Sequence, residues 1–166
     1  MHSMALKINV SGTDQEALNQ VLGKVGYTRQ RRKYHCTVGF IEKMIPEEES
    51  IPFGQKIVSE LQVFIDSLSP FYEVERVAHL FDHVIAFLPT EQSVTSLKEM
   101  NAWTFNKVKE ISENRWTLNE ETLSQNYVPH LTLWRTRRPD HRFKKLEVIA
   151  TSHPSYHLSE AAYTIF

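Results

Sequence analysis

The stretch FYEVERVAHLFDHVIAFLP, Phe71 to Pro89, sets two strand-like runs back to back with room only for a turn near Phe81 to His83. Strands joined so tightly pair antiparallel, because a parallel pair needs a crossover of a dozen or more residues. Further strand-like runs stand at ALKINV, where Leu6, Ile8 and Val10 alternate with polar neighbours, and at KYHCTVGFI and YVPHLTLWR. KLEVIA and YHLSEAAYTIF read as closing strands. Helical periodicity takes over in three places. GTDQEALNQVLGKV opens with a capping box from Thr13 to Glu16 and aligns Leu18, Leu22 and Val25 on one face. FGQKIVSELQVFIDSL repeats Ile57, Leu61, Ile65 and Leu68 until Pro70 closes it. Thr90 caps EQSVTSLKEMNAWTFNKVKEI, which carries Val94, Leu97, Phe105, Val108 and Ile111. The predicted order is β-α-β-α-β-β-α-β-β-β. Too many strands follow one another for a doubly wound parallel sheet, so the expectation is an α+β fold with mainly antiparallel sheets.

A chain of 166 residues with no linker or low-complexity run predicts one domain, residues 1–166. Its 41% hydrophobic and 23% charged content excludes a disordered segment, and no apolar run reaches the ~18 residues of a membrane span. Cys36 is the only cysteine, which excludes an internal disulfide and a cysteine-based zinc site. The opening MHSMALKINV has no signal-peptide core, so a cytoplasmic monomer is expected, with no membrane contact. A net charge of −1 argues against wrapping long nucleic acid. The basic residues are nonetheless bunched, in RQRRK (Arg29 to Lys33) and RTRR (Arg135 to Arg138).

Each basic run adjoins a histidine-x-threonine strand. YHCTVGF holds His35 and Thr37; PHLTLWR holds His130 and Thr132. Side chains alternate faces along a strand, so each His–Thr pair shares one face while Cys36, Val38, Leu131 and Leu133 take the other. The same alternation puts Gly39 and Trp134 on the polar face: Gly39 to leave room for a ligand, Trp134 to stack on a base or narrow the groove. If the two strands are neighbours, two imidazoles and two hydroxyls meet in one cleft. That set suits phosphodiester chemistry without a metal. One neutral histidine takes a proton, the other, protonated, gives one, and the hydroxyls donate to phosphate oxygens.

The pair of motifs resembles those of the two-histidine (2H) phosphoesterases, the superfamily of bacterial 2'-5' RNA ligase-like proteins and 2',3'-cyclic phosphodiesterases. HCTVGF is similar to its first motif, and PHLTLWR, with Pro129 before the histidine and Arg135 at the end, to its second. The resemblance implies a bilobed fold with a pseudo-twofold axis, helices outside and a central groove. It also implies that His35, Thr37, His130 and Thr132 form the catalytic set and that no cofactor takes part. Two departures stand out: Glu42 replaces a common glycine, and Trp134 a small residue.

The expected activity is hydrolysis of a 2',3'-cyclic phosphate on a nucleotide or short RNA end to a 2'-phosphate, with His35 as acid and His130 as base. Arg32, Arg135, Trp134 and Gly39 are the expected substrate-binding residues. Cleavage of 2'-5' linkages with the same residues, or a nucleotide-binding module without turnover, are the alternatives. His79, Asp82 and His83 in HLFDH are read as turn residues rather than metal ligands, and no metal is expected.

Overall fold

The computed structural model describes residues 1–27 and 33–166. Strand β1 (His2–Val10) is followed by α1 (Gly12–Lys24), β2 (His35–Ile45), α2 (Glu47–Leu68), β3 (Phe71–Leu80), β4 (Val84–Pro89) and α3 (Glu91–Ile111). A short 3-10 turn (Glu120–Thr122), β5 (Leu131–Arg135), α4 (His141–Ala150) and β6 (Ser155–Ile165) complete the order. The fold is α+β. The strands form one sheet in the order β2-β1-β6-β3-β4-β5, and every pairing is antiparallel.

That order reads symmetrically from its centre. One lobe is β2-β1-β6 and the other β5-β4-β3, each carrying a His-x-Thr strand at its outer edge. The lobes join through a short seam running from Phe71↔His157 to Glu73↔Ser155. The sheet curls, so its two outer strands, β2 and β5, approach each other. Helix α2 packs across β1 and β6, α3 across β2, β3 and β4, and α4 against β3. No helix among the described residues is long and apolar enough to cross a membrane.

Three expectations need correction. KLEVIA belongs to helix α4, not to a strand. Asp140 starts that helix by accepting from the Arg142 N–H at 2.9 Å. Leu146 and Ala150 are buried four residues apart, whereas Val148, which strand alternation would bury with them, is 71% exposed. Helix α1 begins one residue after Ser11, whose hydroxyl accepts from the Asp14 N–H, rather than at the Thr13 capping box. Helix α2 starts at Glu47, with Glu47, Glu48 and Glu49 in its first turn where negative charge complements the helix dipole.

The core face of α3 holds more than apolar residues. Asn101 and Thr104 are fully buried among Leu97, Met100 and Val108, facing β2. Asn101 is needed there, because β2 is irregular, while the Thr104 hydroxyl donates to the Met100 carbonyl of its own helix.

Candidate active site

Strand β2 carries a β-bulge immediately after its motif. Lys7 pairs with Thr37 and Leu6 with Gly39, so Val38 is an extra residue opposite a single step of β1. Strand β5 has the same irregularity at the same place. Ala86 pairs with Thr132 and Ile85 with Trp134, leaving Leu133 as the extra residue. Each bulge offsets the alternation by one, and everything after it changes face.

The consequence is read directly from the cavity between the lobes. This space, about 680 Å³, lies within the range of small-molecule sites. His35, Thr37, His130, Thr132 and Arg135 all line it. Phe40 takes the position facing the cavity that simple alternation would assign to Gly39. A Cβ on Gly39 would meet Leu118 at 2.8 Å and Thr104 at 3.2 Å, so this glycine faces the core and makes no room for a ligand. Trp134 is turned away as well. It is absent from the cavity lining and packs on Tyr27, ring centroids 5.0 Å apart, with the Arg142 guanidinium 5.8 Å from its ring. Of the other substrate-binding expectations, Arg135 reaches the cavity and Arg32 lies outside the described residues.

Both motif histidines are held by the same local contact. His35 Nδ1 donates to the Lys33 carbonyl and His130 Nδ1 to the Val128 carbonyl, each at 2.9 Å and each two residues upstream. A carbonyl only accepts, so the proton sits on Nδ1 and Nε2 is the basic nitrogen of each neutral ring. Burial holds His130 below the ordinary imidazole range, with the Val128 carbonyl pulling it partly back. Its ring meets Phe81 at 5.5 Å and a steep 66°.

The motif strand β2 is clamped from outside the sheet. Asn101 Nδ2 donates to the Val38 carbonyl at 2.8 Å and to the Thr122 carbonyl at 2.7 Å, tying the bulge to the 3-10 turn. The Asn119 N–H donates to the Phe40 carbonyl and the Phe40 N–H to the Thr122 hydroxyl. Tyr127, buried, donates its hydroxyl to the Thr37 carbonyl at 2.8 Å. A strand edge that would otherwise present unpaired groups is thereby satisfied by the segment leading into β5.

Charge on the walls is mixed. Lys7, Lys33 and Arg135 line the cavity together with Glu120 and Glu121. Lys7 had a sequence signal, since it lies on the polar face of an alternating strand. Asn101 had one too, as a polar residue on the stripe of Leu97, Thr104 and Val108. The bulges had none beyond the motifs themselves. Cys36 is fully buried and burial pushes its thiol up, which removes it as a nucleophile. His79 Nε2 donates to the Thr136 carbonyl and His83 Nδ1 to the Phe81 carbonyl, so each is engaged by the β3–β4 hairpin and its neighbour. Among the described residues no group of three or more His, Cys, Asp or Glu is placed to hold a metal ion.

No family model matches the chain, and no curated protein matches it in sequence. Among solved structures it is similar to Kluyveromyces marxianus Usb1 with uridine monophosphate, at 13% identity over 99% of this chain and 96% of that one, with a TM-score of 0.48. A second structure of Kluyveromyces marxianus Usb1 matches at 13% identity over the same shares, with a TM-score of 0.47.

Proposed function

We propose that this protein is a 2H-type phosphoesterase that opens a 2',3'-cyclic phosphate on a nucleotide or RNA end to a 2'-phosphate. The observation that carries the proposal is the matched pair of imidazoles. Each lines one cavity, each has Nδ1 committed to a backbone carbonyl two residues back, and each has a motif threonine on the same wall. Two groups that differ only in protonation state are what an in-line displacement at phosphorus requires.

His130 is the base. Burial favours its neutral form, so Nε2 takes a proton from water as the water oxygen bonds to phosphorus. His35 is the acid. Protonated, it delivers its Nε2 proton to the departing 3'-oxygen as the P–O3' bond breaks, leaving the phosphate on the 2'-oxygen. Thr37 and Thr132 donate to the non-bridging oxygens, where charge builds in the transition state. Lys7 and Arg135 supply positive potential around that charge, and Lys33, ion-paired with Glu160 at 3.1 Å, adds less. A 2'-5' phosphodiester can use the same four groups.

The test is turnover of the four nucleoside 2',3'-cyclic monophosphates in EDTA, with phosphorus NMR to locate the product phosphate. Turnover to a 2'-phosphate, reduced about 10²–10⁴-fold in His35→Ala and in His130→Ala, is the expected result. Strict dependence on an added divalent metal would overturn the mechanism.

A further inference from the structure

We propose that Phe81 is the nucleobase platform of the cavity, a role that rests on the phosphoesterase function above. Phe81 and Asp82 are the first two residues of the three-residue turn, 81–83, between β3 and β4, and both adopt left-handed backbone, φ +53° and +58°. Turn positions at positive φ select asparagine and glycine, because a side chain crowds the backbone there. A bulky aromatic at the first position is an outlier.

Packing does not account for it. Phe81 is 58% exposed, so it gains little from burial in return for its conformation. It also lines the cavity and touches the ring of His130. The turn that holds it is braced on both sides: the His83 N–H donates to the Leu80 carbonyl and the Thr136 N–H to the His83 carbonyl, linking the hairpin to the end of β5. Strained backbone that the surroundings over-determine is characteristic of sites that bind.

The chemistry of the occupant follows from the ring. An aromatic face carries negative potential and offers nothing to a phosphate. It does offer a flat surface to a planar heteroaromatic group, and every nucleobase has such a face. The 66° angle to His130 makes that contact an edge contact rather than a stack, and with Phe81 58% exposed its ring surface is open to the substrate. The phosphate then lies against the histidines and threonines while the base of the same nucleotide lies on Phe81. Arg135 pairs across β4 with Val84, close to the turn, and stands on the same rim to face the phosphate side.

The experiment compares adenosine 2',3'-cyclic phosphate with the 2',3'-cyclic phosphate of methyl riboside, which lacks a base. The readout is the ratio of their kcat/KM values in wild type, Phe81→Ala, Phe81→Gly and Phe81→Trp. The ratio is expected to fall about tenfold in the alanine and glycine variants and to persist in the tryptophan variant. Glycine relieves the positive φ, so Phe81→Gly is expected to melt at or above the wild-type temperature while losing base preference. A ratio unchanged in both small variants would overturn the platform. If wild type turns over neither compound, the phosphoesterase reading fails by itself. Calorimetric binding of adenosine 2'-monophosphate against methyl riboside 2'-phosphate then decides the platform on the same criterion.

Discussion

Val38 and Leu133 are counterparts: each is the extra residue of a β-bulge directly after a motif threonine, one in β2 and one in β5. The relation extends outward. His35 answers to His130 and Thr37 to Thr132, Gly39 to Trp134, and Phe40 to Arg135. The third link of this series leaves the cavity and the fourth returns to it, so both motif strands place their first, third and sixth residues on the wall. A duplicated bulge is a stronger sign of a repeated half than the dipeptide spelling, since it needs the same local geometry twice.

Trp134 tests that geometry. Because its ring packs on Tyr27 rather than lining the cavity, Trp134→Ala is expected to lower stability, by no more than the ~3–5 kcal/mol typical of losing a buried tryptophan. KM for a nucleoside cyclic phosphate is expected to stay within about twofold. Urea unfolding and steady-state kinetics on the same preparation check both. A large rise in KM with unchanged stability would return Trp134 to the cavity.

Gly39 makes the complementary case. Any Cβ there runs into Leu118 at 2.8 Å, so Gly39→Ala is expected to destabilise by about 1–3 kcal/mol through overpacking. The contact is with the end of a leucine side chain, and Leu118→Ala in the same protein is expected to restore part of the loss. A double-mutant cycle by chemical denaturation measures it.

Removing Asn101 leaves the buried Val38 carbonyl and the half-buried Thr122 carbonyl without its amide donor. Asn101→Leu is expected to cost about 1–3 kcal/mol for each carbonyl left unsatisfied. Asn101→Asp is expected to cost more, because a carboxylate would face two acceptors in the core. Since one of those carbonyls belongs to the bulge that orients Phe40, kcat is expected to fall as well. Stability and kcat measured together across the two variants test the link.

The pH dependence follows from His130. Its folded-state pKa lies below the ordinary value of about 6.5, so it stays neutral in the fold at pH where the unfolded chain has begun to bind a proton. The unfolded state therefore holds more protons in that window. The stability contribution is complete above the unfolded value and is lost as pH falls below it. A His130→Asn variant is expected to lose less melting temperature than wild type between pH 7 and pH 5.5. In kinetics, the acid limb of the kcat/KM profile is expected below pH 6.5 and to vanish in that variant's residual activity.

Much of the protein was legible in the order of residues because the signals are local. Period-two runs, period-3.6 runs and the closeness of β3 to β4 were enough for an antiparallel α+β fold, and two matched motifs singled out His35, Thr37, His130 and Thr132. Those four precede the bulges, where alternation still holds. KLEVIA misled because β-branched residues suit a strand, while the Asp140 cap that starts the helix lies outside the run.

Tertiary structure decided the rest. Whether Gly39 or Phe40 faces the cavity depends on one extra residue in β2, and that residue is kept in place by Asn101 from a helix far along the chain. Period two is a property of a strand paired without interruption, and a bulge is a property of the pair. No stretch of one strand encodes it alone. The sequence by itself determined which side chains stand as candidates for the chemistry; the curl of the sheet and the register of its outer strands determined which of their neighbours join them.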